Sequence, residues 1–473
     1  MGRNQVADFI DTPIGRPLLG LVYGRRRIGK STLLVNEAQR RNGFYFEATR
    51  AATRVQLDRL GAALGDYLGV GRIALSSWEE ALESLLGLET TGPVPVVIDE
   101  FGYVLEADRS VDSTIAAALG PGARRSGEGY TRLLLCGSAI SVMRALTAGE
   151  APLRGRAGME LIMYPDDFRA ATARLTDPND LRTAAQVFAV IGGVVGYATD
   201  MVNFDLPGGG DDFDRWVVQR ILSPGATMRN EATTLLAEDP VMAGKGSLLH
   251  HSILAAIANG SVTAGSISNQ VGRKVSNLAP ALNRLVDAGF VVRLEDPIRD
   301  QRPLYALDDP FLQFHYAVLD PFGPLLRDRP PDEVWRNRLR ASFDTQVRGP
   351  VFESQARTWA RRFASPSTLD PTSHIGPSSV TVDGIEHQID LVAASQGPTP
   401  AERTVVAIGE AKAGETLTLG HLARMERIRD ALGQRADKAK LFLFGTAFDP
   451  ALAAAGSRHD VEIVDLDRLY HGN

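Results

Sequence analysis

The segment LLGLVYGRRRIGKSTLL, Leu18 to Leu34, constrains the fold more than any other stretch of this chain. Residues 18 to 23 form an apolar run that predicts a buried strand. Gly24-Arg25-Arg26-Arg27-Ile28-Gly29-Lys30-Ser31 then fits the spacing of a glycine-rich phosphate loop, and Thr32 opens a helix. The glycines let backbone N–H groups close on phosphate oxygens. The helix start adds free N–H groups and the positive end of its dipole. Lys30 would reach the β- and γ-phosphates, and the Ser31 hydroxyl would coordinate Mg²⁺. A glycine turn ahead of a helix is the plainer alternative; the strand–loop–helix context favours nucleotide binding over Gly24 to Thr32.

Further apolar runs follow. GFYFEAT (43–49) predicts a second strand, and PVPVVIDEFGYVL contains a third that ends in Asp99-Glu100. After a phosphate loop such an acidic pair suits metal binding by Asp99 and water activation by Glu100; alone it is a pair of solvated acids. TRLLLCGSAISVM (131–143) predicts a fourth strand ending in Gly137-Ser138. Between the first and third strands, Ser138 would reach the γ-phosphate or the water, and it also suits a helix N-cap. APLRGRAGMELIMYP (151–165) gives a short fifth strand preceded by Arg154 and Arg156. An arginine there would neutralise developing charge, in cis or from a neighbouring subunit; a solvated loop arginine explains the pair equally.

At 473 residues the chain exceeds one core, so two to four domains are expected. Its 44% hydrophobic and 23% charged residues are ordinary for a globular protein, and no apolar run approaches the roughly 18 residues that span a membrane. No secretory signal is visible, and the single cysteine, Cys136, excludes an intrachain disulfide; both point to the cytoplasm. A net charge of −6 excludes general polyanion binding, so any nucleic-acid surface is local. Only six of the 51 basic residues are lysines. Two of these, Lys30 and Lys412, sit in the two strongest motifs, where a compact point charge serves better than a wide fork.

With YGRRRIGKSTLL, VVIDEF, LLLCGSAISVM, LRGR and RPLYALDDPFLQFHYAVL (302–319) in this order, the chain resembles the archaeal-type ATPase family, a P-loop group near the AAA+ and STAND ATPases. The resemblance implies ATP and Mg²⁺ as ligands, singles out Arg156, and implies a possible homo-oligomer. It also implies an α/β architecture: a parallel sheet in the order 5-1-4-3-2 over 1–167, a helical lid over 168–245, a winged helix over 246–325 and a C-terminal restriction-endonuclease-like domain over 340–473. ADFIDTPIGRP replaces the box that in this family precedes the first strand and helps to hold the adenine.

Residues 247–307 read as helix, short helix, helix and a two-stranded wing. The third helix, Val275 to Ala288, would bury Leu278, Leu282, Leu285 and Val286 and turn Arg273, Lys274, Asn277, Asn283 and Arg284 toward DNA. The nearby Asp287, Glu295, Asp296 and Asp300 temper that charge, and a protein–protein module has the same outline.

The last third reads α-β-β-β-α-β-β. A helix over 349–364 carries Glu353, a hairpin with an Asp383-Gly384 turn carries Asp390, and TVVAIGEAKAGET (404–416) ends a buried strand in Glu410-Ala411-Lys412. Strand alternation puts Glu410 and Lys412 on one face. This order resembles the PD-(D/E)XK nuclease core. The resemblance implies metal binding by Asp390 and Glu410, an outer carboxylate at Glu353 and water positioning by Lys412. A strand ion pair between Glu410 and Lys412, and an i,i+4 pair between Glu353 and Arg357, are the structural alternatives. The expectation is an ATPase that binds DNA and cleaves it; the alternative is an ATP-switched regulatory module with an inactive nuclease-like domain.

Overall fold

Near-continuous apolar runs mark strands that are buried on both faces. A computed structural model of the chain describes residues 2–14, 16–88, 92–120, 130–175, 180–244, 246–300 and 302–473. They divide into two compact units, Met1–Pro165 and Asp166–Asn473. The first is built on β1 (Leu18–Gly24), β2 (Phe44–Glu47), β3 (Val94–Asp99), β4 (Thr131–Gly137) and β5 (Ala157–Met163). The sheet order is β2-β3-β4-β1-β5, every pair parallel, which is the expected 5-1-4-3-2 order.

Alternation divides the side chains of this sheet between two cores. Leu21, Ile98, Leu133 and Leu135 join helices Thr53–Leu68 and Trp78–Leu86 on one face. Val22, Val97, Leu134 and Cys136 join Leu34 and Ala38 of helix Lys30–Arg40 on the other. The second face also receives Val6, Phe9 and Ile10 of a further helix, Gly2–Ile10. Buried Arg132 ties the segment after that helix to the foot of β4, donating to the carbonyls of Thr12, Ile14 and Arg16.

The second unit opens with helices, among them Phe168–Leu175, Leu181–Ile191, Gly210–Trp216 and Met228–Glu238. These pack with later parts of the same unit. The Phe213 ring lies 5.5 Å from that of Phe343, Asp214 pairs with Arg340, and Phe168 meets Phe363 and Tyr470. Segment 168–245 thus packs against 340–473 within this unit. Helices Ser247–Ala258, Ala264–Val271 and Val275–Asp287 precede the antiparallel pair β6 (Val291–Leu294) and β7 (Leu304–Leu307). In the third helix Leu278, Ala281, Leu282 and Leu285 are buried. Val286 is only half-buried, because Ala281 completes the stripe instead.

The last sheet has the order β12-β11-β10-β9-β8, from β8 (His374–Val382), β9 (Ile385–Ala394), β10 (Val405–Lys412), β11 (Lys440–Gly445) and β12 (Val461–Val464). β8, β9 and β10 pair antiparallel; β10, β11 and β12 pair parallel. Asp383 (φ 50°) and Gly384 (φ 80°) form the two-residue turn of the β8–β9 hairpin, both in the left-handed region that such a turn requires. No helix among the described residues is long and apolar enough to cross a membrane.

Candidate functional site

The first cluster forms where the chain leaves β1. Gly24 has φ 155°, and a Cβ there would lie 2.2 Å from the carbonyl oxygen of Met163 on β5, so only glycine fits. The loop continues through buried Arg25, half-buried Arg26, Arg27 (φ 65°) and buried Ile28 to Gly29 (φ 88°), which caps helix Lys30–Arg40. Ser31 and Thr32 are exposed in the first turn, where backbone N–H groups lack intrahelical partners. Lys30 is 5% exposed and its Nζ donates to the Arg25 carbonyl at 2.7 Å. Burial pulls its ammonium below the ordinary value, against the nearby acidic groups.

Asp99 ends β3, buried. Its Oδ1 accepts from the Glu100 N–H at 2.8 Å and its Oδ2 from Tyr45 Oη at 2.7 Å. Burial alone would raise this carboxyl; hydrogen bonds from Cys136, Ser31, Tyr45 and the Glu100 N–H outweigh it and hold it below its usual value. Glu100 takes a left-handed conformation (φ 50°) at the head of helix Phe101–Ala107. Its Oε2 accepts from Ser138 Oγ, just past β4, at 2.9 Å. Lys30, Ser31, Asp99, Glu100 and Ser138 therefore meet at the carboxyl ends of three adjacent parallel strands. Arg156 does not join them: it is exposed before β5, with Nε donating to the Pro152 carbonyl at 3.2 Å. Tyr45 is the member that sequence reasoning missed; the only signal is its place on β2, alongside β3.

The second cluster lies in the last sheet. Glu410 is 2% exposed; its Oε1 stands 2.7 Å from Lys412 Nζ and its Oε2 pairs with Arg424 of helix Leu419–Ala431. Asp390 Oδ2 accepts from the Ala411 N–H at 2.9 Å and lies 3.9 Å from Lys412 Nζ. On helix Gly349–Arg362, Arg357 is buried, donates to the Asp390 carbonyl at 2.9 Å and stands 3.9 Å from Glu353. Burial first, and then the Asp390 charge, raise the Glu353 carboxyl; burial and Glu410 raise that of Asp390. Burial works against the Lys412 ammonium, but Asp390 and Glu410 outweigh it and raise its pKa.

All four expected residues are thus gathered, and two guanidinium groups interleave with them. Among the described residues no three His, Cys, Asp or Glu side chains are disposed to hold a metal ion. Arg424 was missed because it reaches Glu410 from a helix that follows the strand. On the helix Val275–Asp287 and the turn before it, Arg273, Lys274, Asn277, Asn283 and Arg284 are all exposed.

No family model matches the chain. The chain is similar to the uncharacterized protein MJECL04 of Methanocaldococcus jannaschii, with 24% identity over 344 residues covering 71% of each chain. Among solved structures it is similar to the Walker-type ATPase PABY2304 of Pyrococcus abyssi, at 18% identity, 67% of this chain and 94% of that one, TM-score 0.49. It is also similar to the ORC2 protein of Aeropyrum pernix in its ADPNP-ADP complexes, at 16% identity, 69% of this chain and 91% of that one, TM-score 0.42.

Proposed function

We propose that the chain binds and hydrolyses ATP at the first cluster, with Mg²⁺. The observation that carries this reading is the meeting of Lys30, Ser31, Asp99, Glu100 and Ser138 at the ends of β1, β3 and β4. The hydroxyl of Ser31 beside the Asp99 carboxylate is an all-oxygen pair that suits Mg²⁺. When bound, that ion would neutralise charge on the phosphates. Lys30 exchanges the Arg25 carbonyl for phosphate oxygens, and the N–H groups of the first helical turn take the others. Glu100 receives the proton of the water that attacks the γ-phosphorus as the bond to the bridging oxygen breaks. Ser138 fixes the rotamer of Glu100 through its hydrogen bond. Purified full chain should release phosphate from ATP, and Glu100→Gln should retain nucleotide but lose turnover. Turnover unchanged in that variant would overturn the reading.

For the second unit, the order helix–helix–helix–hairpin and the exposed basic residues from Arg273 to Arg284 support a winged helix that binds nucleic acid. The α-β-β-β-α-β-β order and the convergence of Glu353, Asp390, Glu410 and Lys412 support a nuclease-like domain. A nuclease needs a divalent cation to activate the water, and these carboxylates as they stand are not disposed to hold one. Glu410 would first have to loosen its hold on Arg424. That closed ion pair favours a second reading, an ATP-switched regulator whose C-terminal domain only binds. Cleavage of plasmid and single strands with Mg²⁺ or Mn²⁺, lost in Asp390→Ala, supports the nuclease. ATP hydrolysis without cleavage under any condition supports the regulator.

A further inference from the structure

A hairpin that follows a DNA-reading helix reaches nucleic acid only if its connection is free, and the connection between β6 and β7 is not. Asp296, Pro297 and Ile298 are buried in succession, and Ile298 belongs to the same apolar cluster as Val380 and Ile389 of the last sheet. Asp296 accepts from Ser378 Oγ on β8 at 2.9 Å, and Arg299 donates to Ser379 Oγ at 3.1 Å. Arg403 donates to the Pro297 carbonyl at 3.2 Å. Gly376 of β8 lets the chain approach so closely that a Cβ there would lie 2.3 Å from the Glu295 carbonyl oxygen. Of the described residues left exposed in the connection, Glu295 and Asp300 are acids and Arg302 is a base. The nearby Arg293 of β6 stands 3.4 Å from Glu295. The connection thus faces the last sheet and offers no positive surface.

The helices before it are the reverse. The chain carries 57 Asp and Glu, yet none stands between Pro240 and Val286. Within that stretch, helices Ala264–Val271 and Val275–Asp287 and the turn between them expose the amides of Asn269, Gln270 and Asn277 and the cations Arg273, Lys274 and Arg284. Among the described residues these side chains make no hydrogen bond or ion pair with the rest of the chain. A surface with bases and no acid accepts a polyanion without a bridging cation, and its amides suit base edges. Lys274 and Arg284 stand about 15 Å apart along the helix at about 1.5 Å per residue, enough to reach phosphates on both sides of a major groove about 12 Å wide. Double-stranded RNA keeps its base edges in a groove too deep and narrow for such a helix. Single strands are held by stacking on aromatic rings, and no Phe, Tyr or Trp stands between Thr263 and Asp287.

We propose that the second unit binds duplex DNA from the major groove alone, with Asn277 toward the base edges and Lys274 and Arg284 on phosphates. The β6–β7 connection is withheld, and the minor groove stays open. This rests on the reading of that unit as a nucleic-acid binder, but neither on cleavage nor on a metal ion. The contact is small. With Arg273, Lys274 and Arg284 as its cations, affinity should fall with salt at a slope of about −2.7, or about 0.9 for each phosphate contact.

The test is fluorescence anisotropy of the full chain with a labelled mixed-sequence DNA duplex that includes A·T runs, at low salt. A chelator is present throughout, so that nothing is cut. The same duplex with bulky groups on C5 of its pyrimidines, which fill the major groove, should bind at least about tenfold weaker. Saturating the minor groove with netropsin should change affinity by less than about twofold. Duplex RNA and oligo-dT should also bind at least about tenfold weaker. Lys274→Ala and Arg284→Ala, both at exposed positions, should each lower the salt slope by about 0.9, and Arg302→Ala on the connection should leave it unaltered. Displacement by netropsin, or equal binding of the filled-groove duplex, duplex RNA or oligo-dT, would overturn the proposal and leave the unit a nucleic-acid binder of another kind. So would a slope that falls as much in Arg302→Ala as in Lys274→Ala. No binding of any nucleic acid would overturn both the proposal and the reading on which it rests.

Discussion

Lys30 and Lys412 both stand at the carboxyl end of a buried strand, yet they are held differently. Lys30 Nζ donates to a neutral backbone carbonyl of its own loop, at 2.7 Å. Lys412 Nζ meets two carboxylates, Glu410 at 2.7 Å and Asp390 at 3.9 Å, while Arg424 holds the far side of Glu410. A lysine on a carbonyl can leave for a phosphate without stranding a charge. A lysine inside a closed set of ion pairs cannot move without leaving a buried carboxylate unpaired, which is expensive. The first site is therefore poised for an anion, whereas the second is a balanced charge cluster that must be opened. Substitutions at the first should alter turnover more than stability, and at the second the reverse.

Glu100→Gln tests the first half of that contrast. It removes the proton acceptor and keeps an oxygen for the Ser138 hydrogen bond, so turnover should fall about 10²- to 10⁴-fold with nucleotide affinity and melting temperature retained. A drop in melting temperature with turnover intact would make Glu100 a structural residue. Glu410→Ala tests the other half. It leaves Lys412 and Arg424 without their shared partner and should cost the second unit about 3–5 kcal/mol, read by denaturant unfolding. A cost below about 1 kcal/mol would mean that water already screens the cluster.

The same contrast explains what was legible in the sequence. Gly24, Gly29 and Lys30 announce a strand–loop–helix because only glycine accepts those backbone angles, and buried parallel strands read as apolar runs. Strand alternation put Glu410 and Lys412 on one face, and the ion pair between them follows from it. Partners on other elements were not legible. Arg424 reaches Glu410 from a helix, and Tyr45 reaches Asp99 from a strand far away in sequence; neither carries a local pattern. Arg156 is singled out by the resemblance alone, and it stands exposed before β5, donating to the Pro152 carbonyl. The segment between β6 and β7 was illegible for a similar reason: Ile298 joins the apolar cluster of the last sheet, and Asp296, an acid near the wing by sequence, accepts from Ser378 on β8.

Balance is not universal in the second unit, and acid should expose the exception. Among the described residues the buried Nδ1 of His315 has no hydrogen-bond partner, and burial lowers the pKa of the ring to about 4, against the pull of Asp320. In the unfolded chain a histidine takes its proton near pH 6.5. Between these values the unfolded state holds more protons, so stability is complete above about pH 6.5 and falls as the pH drops toward 4. Denaturant unfolding at pH 7 and pH 4.5 should differ by about 2–3 kcal/mol more in the parent than in His315→Gln. Parallel losses in the two proteins would place the acid sensitivity elsewhere.

Tyr45→Phe asks whether the first site separates ion binding from proton transfer. The phenol donates to Asp99 Oδ2 at 2.7 Å and is one of several groups that hold this carboxylate charged. Removing it deletes one hydrogen bond to a charged group and leaves Lys30, Glu100 and Ser138 in place. The loss should be about 1 kcal/mol, seen as a roughly fivefold rise in the Mg²⁺ needed for half-maximal hydrolysis. At saturating Mg²⁺, turnover should return to the parental value. Glu100→Gln should do the opposite, with an unchanged Mg²⁺ requirement and low turnover at any concentration. If Tyr45→Phe instead lowers turnover at saturating Mg²⁺, the carboxylate of Asp99 is positioned for the chemical step as well. The two acids at the end of β3 would then act as one unit.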